Sequence, residues 1–237
     1  MLDHRSFSRF LAGALVVGLA SCAAPPRPAA TPPAAEPTRP APAGPATIFE
    51  VVASDVTVRV YRDGPLAELG HNHVIASTGL TGHIELRQPL GASTLALELP
   101  LASLTVDEPV RRAAAGVEFP DNVTQTDREG TRRNMMGASL LDAGQFPALA
   151  LTSLSIDGQS SEFRVTTRVS LAGQVRDILV PVTLGLEGDT LTAHGGFTVT
   201  HAQLGLSPFS AAMGALRVRD DMQVSYRLVA REVGGAT

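Results

Sequence analysis

"FRVTTRVSLAGQVRDILVPVTLGL", residues 163–186, decides how this chain folds. In its first nine residues Phe163, Val165, Thr167, Val169 and Leu171 alternate with Arg164, Thr166, Arg168 and Ser170. Successive side chains of a strand point to opposite faces, so a period of two marks a strand with one apolar face. "GQ" at 173–174 is a turn signal. Beyond it Ile178, Val180, Val182, Leu184 and Leu186 form the apolar face of a returning strand. The stretch reads as an antiparallel hairpin with one face toward a core.

The same period runs outward in both directions. "LTAHGGFTVT", 191–200, puts Leu191, Ala193, Gly195, Phe197 and Val199 on one face. "TLALELPL", 94–101, puts Leu95, Leu97, Leu99 and Leu101 together. Residues 47–61, 73–87, 148–157 and 218–231 give further strands, with turns at "DGQS" (157–160) and "EGD" (187–189). About eight or nine long strands joined by short hairpins predict an all-β antiparallel barrel, because closure removes exposed edges. Ala193 and Gly195 are small enough to leave space inside; a filled barrel without a ligand is the alternative. One stretch breaks the period. "TDREGTRRNMMGASLLDAGQFP", 126–147, predicts one short helix, with Thr126 and Glu129 as a capping box and Gly144 as its stop. Met136 and Leu140 share a face of it, either as core filler or as an adaptable lid over an apolar cavity.

Composition removes much chemistry. The net charge is −4, and phosphate backbones need a clustered basic surface, so no nucleic-acid partner is expected. There is no Lys, which excludes Schiff-base chemistry and a Walker-type loop. The single cysteine is Cys22, so the folded part has no disulfide and no thiolate nucleophile.

The N-terminus reads as an address. Arg5 and Arg9 precede "FLAGALVVGLA", 10–20, eleven uncharged residues too few to span a bilayer. The run ends in "LASC", 19–22, which resembles the bacterial lipobox. Residues 1–21 are thus expected to be a lipoprotein signal peptide and Cys22 the lipidated residue, anchoring the chain to a membrane. Eighteen of the 24 residues 23–46 are Ala or Pro, a polyproline-like tether that spans about 70 Å when extended. Ala23 after the cysteine fits sorting to the outer membrane, at the periplasmic face of the cell envelope. Residues 47–237 are the barrel domain.

"ELGHNHVIAST", 68–78, holds His71 and His73 in a His-x-His spacing. On an extended strand the two rings point the same way, a metal half-site that needs a third ligand. His83 lies ten residues on, about 33 Å along an unbroken strand. His194 falls on the Thr-rich, outward face of its strand, and His201 ends a strand at a rim. Three readings stand: polar rim lining, contact with a ligand's head, or a metal or haem site on His71 and His73. Enzymatic machinery is not expected. "GLSPF", 205–209, lacks the last Gly of a nucleophile elbow, no H-E-x-x-H occurs, and adjacent Asp220 and Asp221 face opposite sides of a strand. Arg111-Arg112 and Arg132-Arg133 read as solvated surface, or else as a clamp on a lipid phosphate.

Several stretches together resemble the YceI-like lipid-binding family: "TGLTGHIEL" (78–86), "LLDAGQFPALALTSLSI" (140–156), "VSLAGQVRDILVPVTL" (169–184) and "HAQLGLSPFSAAMGALRVRDDMQVSYRLVA" (201–230). "LGHNHVI" resembles a branch of that family bearing G-H-x-H, in place of one His followed by Gly and an aromatic. The resemblance implies an extended lipocalin-like barrel of eight antiparallel strands plus a helix, holding an isoprenoid or other long-chain lipid. The expected partner is therefore a hydrophobic small molecule, polyisoprenoid or quinone-like, with a cell-envelope binding or carrier role. Its tail would lie against Leu97, Leu99, Met136, Phe163, Val165, Val182, Phe197 and Val199, with His71 and His73 at the head.

Overall fold

The structure is a computed structural model that describes residues 44–233. The expected signal peptide, Cys22 and the tether up to residue 43 lie outside the described residues. Eleven strands follow in chain order: β1 (Thr47–Asp63), β2 (His73–Ser77), β3 (Thr81–Leu86), β4 (Thr94–Pro100), β5 (Thr105–Val106), β6 (Ala148–Gln159), β7 (Glu162–Leu171), β8 (Gln174–Glu187), β9 (Thr190–Thr200), β10 (Ser210–Ala211) and β11 (Leu216–Glu232). Two helices, α1 (Pro109–Ala115) and α2 (Gln125–Met136), interrupt them between β5 and β6.

Eight strands make the ring β11-β9-β8-β7-β6-β4-β3-β1, and β1 pairs back with β11 to close it. The short β2 and β5 extend the sheet beside β1, and β10 pairs with the start of β11. The alternation at 163–186 reads through directly: Phe163 opposes Val182, Val165 opposes Val180 and Thr167 opposes Ile178. Directly opposed residues share a face, so these pairs stack on the inside. Leu186, expected on that apolar face, is instead 52% exposed at the end of its strand.

The expected strand 73–87 is two. Both pieces run antiparallel to β1, β2 at its far end and β3 at its start, with a break at residues 78–80. Gly82 lets β4 come close here, since its φ is +127° and a Cβ would stand 2.2 Å from the Ala96 carbonyl oxygen.

The register puts one end of every long strand on a common rim. Val60 pairs with both His73 and Met222, Asp221 with Thr200, Leu171 with Gln174, and Pro100 with Ala148. The long connections 107–147 and 201–215 leave from this rim, while the hairpins at 160–161 and 188–189 turn at the other. Toward that other end Phe49, Ile84, Leu191, Leu228 and Ala230 form a buried apolar cluster.

The helical segment corrects two expectations. There are two helices rather than one, and α2 spans Gln125–Met136 rather than running from Thr126 to a stop at Gly144. Its capping box is Thr124 with Asp127: the Asp127 N–H donates to the Thr124 hydroxyl and the Thr124 N–H to the Asp127 carboxylate. It stops at Gly137, after which turns take over, the Leu141 N–H bonding Met135 O and the Ala143 N–H Met136 O. Leu140 is therefore past the helix. The missed α1 carries its own signals, Pro109 at the first position and Gly116 at φ +97° just past the end.

Candidate ligand site

The barrel is hollow. A cavity of about 760 Å³ runs inside it, within the usual range for a small-molecule site. Val56, Val58 and Val60 of β1, Val180 and Val182 of β8, and Val224 of β11 point into it and stay only half-buried, because the space beside them is unfilled. Of the residues expected to meet a ligand, Leu97, Leu99, Phe163 and Val165 line the cavity, as do Val182, Phe197, Val199 and His73. Met136 and His71 do not. Met136 packs against Leu101, Leu141, Val169 and Leu171 instead. The face of α2 turned to the bore is Thr131, Asn134 and Met135, spaced i, i+3 and i+4.

Polar lining is confined almost entirely to the rim that carries the helices. There the bore meets His73, Thr131, Asn134, Ser139, His201 and Ser207. Elsewhere the polar lining atoms are spoken for. The Thr167 hydroxyl donates to Val165 O, and Ser93 Oγ accepts from the Arg87 N–H. The Tyr226 hydroxyl crosses β9 to donate to Pro181 O at 2.7 Å, and burial pushes this phenol well above its ordinary range. Gly195 lies under that crossing. A Cβ there would stand 2.4 Å from Pro181 O and 2.9 Å from the Tyr226 oxygen. Its smallness, read in the sequence as room for a ligand, makes room for Tyr226.

His73 begins β2 and opens onto the bore, held from behind. Its Nδ1 lies 2.6 Å from Asp107 Oδ2. Asp107 follows β5 and continues its pairing with β2. Its N–H donates to Val74 O, and its Oδ1 accepts from the Val74 N–H. The residue sits at φ 52°, a region a short polar side chain such as Asp tolerates. Asp107 is fully buried, and burial alone would raise its carboxyl. The bonds from His73, the Val74 N–H and Arg112 outweigh that and hold it below the usual carboxylate range.

Arg112 is the main correction to the sequence reading. Expected on a solvated surface, it is 1% exposed. Its guanidinium donates to Asp107 Oδ1 at 2.6 Å, to Asn72 O at 2.7 Å, and twice to Pro120 O. Phe119 closes over it, beside Tyr61 and Val74 on the outer wall. Arg111 pairs with Asp55, and Arg132 donates to the carbonyls of Leu104 and Ala102, so neither is a free phosphate clamp. No described Asp, Glu or Arg side chain lines the bore.

The "GHNH" loop is tied by its asparagine. Asn72 Oδ1 accepts from the Arg62 N–H and its amide donates to Glu118 O. His71 precedes β2, its ring centroid 6.3 Å from that of His73. Among the described residues no third metal ligand gathers about the pair. His83 and His194 are exposed on the outer face. His201 is 4% exposed and lines the bore, its Nδ1 2.9 Å from Asp220 O. Asp107, Thr131 and Asn134 escaped the sequence reading, and His201 was considered there only as a further metal ligand at a rim.

The model of the YceI-like domain matches residues 54–230. This chain belongs to the YceI-like family. Among solved structures, the YceI-like barrel described here is similar to BcnA of Burkholderia cenocepacia, at 15% identity over 74% of this chain and 95% of that one, TM-score 0.53. It is also similar to a polyisoprenoid binding domain from Saccharophagus degradans implicated in plant cell wall breakdown, at 12% identity over 78% and 98%, TM-score 0.50. A mutant YCEI protein of Campylobacter jejuni gives 11% identity over 68% and 85%, TM-score 0.50. At these identities the likeness concerns the fold. A search of curated proteins found no match.

Proposed function

We propose that this chain is a cell-envelope lipoprotein that binds or carries one long-chain hydrophobic ligand, polyisoprenoid or quinone-like, inside its barrel. One observation carries the reading: an apolar bore of about 760 Å³ whose free polar groups collect at a single end. A ligand with a long tail and one polar head matches that distribution. Each methylene of the tail taken out of water contributes about 0.8 kcal/mol. The polyisoprenoid-binding S. degradans domain of the same fold supports the ligand class.

On this reading the chain acts as a binder rather than an enzyme, and "GHNH" at 70–73 supports the G-H-x-H branch. The lipobox-like "LASC" supports lipidation at Cys22, and the tether and Ala23 support a periplasmic site on the outer membrane. Native mass spectrometry of the full chain purified from a bacterial envelope tests the ligand. An added mass of several hundred daltons, extractable by organic solvent, is expected. Protein of bare mass that also fails to take up an added C20 prenyl lipid would remove the reading. Metabolic labelling with palmitate, lost in Cys22→Ser, tests the anchor.

A further inference from the structure

We propose that the bore selects a ligand whose head is uncharged and bears a hydroxyl, read by the Nε2 atoms of His73 and His201. This rests on the bore being a lipid site, and it narrows what the head can be.

The two imidazoles come from different strands, yet their partners impose one tautomer. A backbone carbonyl only accepts, so His201 Nδ1, 2.9 Å from Asp220 O, must carry the hydrogen. His73 Nδ1, 2.6 Å from the Asp107 carboxylate, must do the same. With the hydrogen on Nδ1, a neutral ring leaves Nε2 as a lone pair. His201 Nε2 has no hydrogen-bond partner among the described residues. The Thr131 hydroxyl is 3.5 Å from His73 Nε2, at the outer limit of a bond and free to turn toward an incoming group. The bore thus presents two imidazole acceptors at its polar end, beside the hydroxyls of Thr131, Ser139 and Ser207 and the Asn134 amide.

Charge narrows the class further. Asp107 is neutralised by Arg112 behind the wall, and no described charged side chain lines the cavity. Arg176, opposite Val169 at the rim, is exposed and lies against Gly205. A phosphate or carboxylate head inside the bore would have no lining charge to pair with, Arg176 standing outside at the mouth, and a buried unpaired charge is strongly disfavoured. A ketone head brings no donor to either ring. An alcohol or phenol brings the donor that both rings lack.

The test is equilibrium binding of three C20 probes to the full chain: geranylgeraniol, its methyl ether and its monophosphate. The alcohol is expected to bind about tenfold tighter than the ether, the worth of one well-placed hydrogen bond plus relief of an unpaired acceptor. The phosphate is expected to bind more weakly than either. In the double variant His73→Phe, His201→Phe the ratio of alcohol to ether affinity should fall from about ten to about one, whatever the two absolute affinities become. Equal binding of alcohol and ether by the wild type, tightest binding of the phosphate, or an advantage that survives in the variant would each overturn the head assignment alone. If none of the three binds, the lipid-site reading itself falls. The wild-type series decides the matter even if the double variant does not fold.

Discussion

Replacing Arg112 with Met keeps the apolar stem and deletes the guanidinium. Three acceptors then each lose the Arg112 donor in a closed space: Asp107 Oδ1, Asn72 O and Pro120 O. Asp107 keeps its bonds from His73 and the Val74 N–H but is left as a fully buried carboxylate without its fixed countercharge. Breaking one side of such a pair costs about 3–5 kcal/mol, because the remaining charge is still desolvated. For a domain of this size each kcal/mol lowers the melting temperature by about 2–4 °C, so a drop of roughly 6–20 °C is expected. Thermal and urea unfolding followed by circular dichroism measure it, with exposed Arg164→Met as the control expected within about 0.5 kcal/mol. Adding Asp107→Asn to Arg112→Met should recover part of the loss, since the orphaned charge goes with it. The reasoning is refuted if Arg112→Met costs no more than Arg164→Met, or if the two changes at the pair simply add.

Three further outcomes follow from other parts of the barrel. Because the Asp107 carboxyl lies below its usual range when folded, its stabilisation is full above the unfolded value of about 3.9 and is lost as pH falls through the folded one. Urea unfolding of Asp107→Asn should therefore depend less on pH below about 4 than the wild type, and equal acid slopes would contradict this. Gly195→Ala forces a Cβ against Pro181 O and the Tyr226 ring, and should cost about 1–3 kcal/mol in the same assay; a neutral substitution would show that the crossing is loose. Val180→Trp fills the hollow beside Phe163 and Val165, and should abolish uptake of a C20 prenyl lipid while leaving the far-ultraviolet spectrum unchanged.

The fold was legible because a barrel wall repeats one rule. Each long strand showed its inner face by parity, and Thr167, a polar residue on that face, kept its place by donating to Val165 O. The lining residues Leu97, Leu99, Phe163, Val165, Val182, Phe197 and Val199 followed from that parity alone. What lay outside the rule was harder. Met136 and Met135 are neighbours, and which one faces the bore depends on how α2 lies across the rim, a tertiary matter. Arg112 looked solvated because its partners are remote in sequence or ordinary in type: Asn72 lies 40 residues away and His73 joins Asp107 across 34. Thr124-x-x-Asp127 was the readable signal for the start of α2, passed over in favour of Thr126 and Glu129.

The buried pair and the uncharged bore are two sides of one arrangement. A histidine facing an apolar cavity needs a partner to fix its ring, and a carboxylate is the strongest orienting acceptor. A carboxylate in contact with the cavity would draw water or a cation into it. Asp107 instead sits behind β2, with its second oxygen closed by Arg112 and the Val74 N–H and nothing left over for the lumen. His201 achieves the same orientation with a backbone carbonyl, Asp220 O at 2.9 Å, the exposed Asp220 carboxylate standing farther off at 3.9 Å. Both solutions keep net charge off the cavity wall while leaving a directional acceptor on it. The rest of the wall can then remain Leu, Val, Ile and Phe, which is the condition for a long tail to lie along it dry.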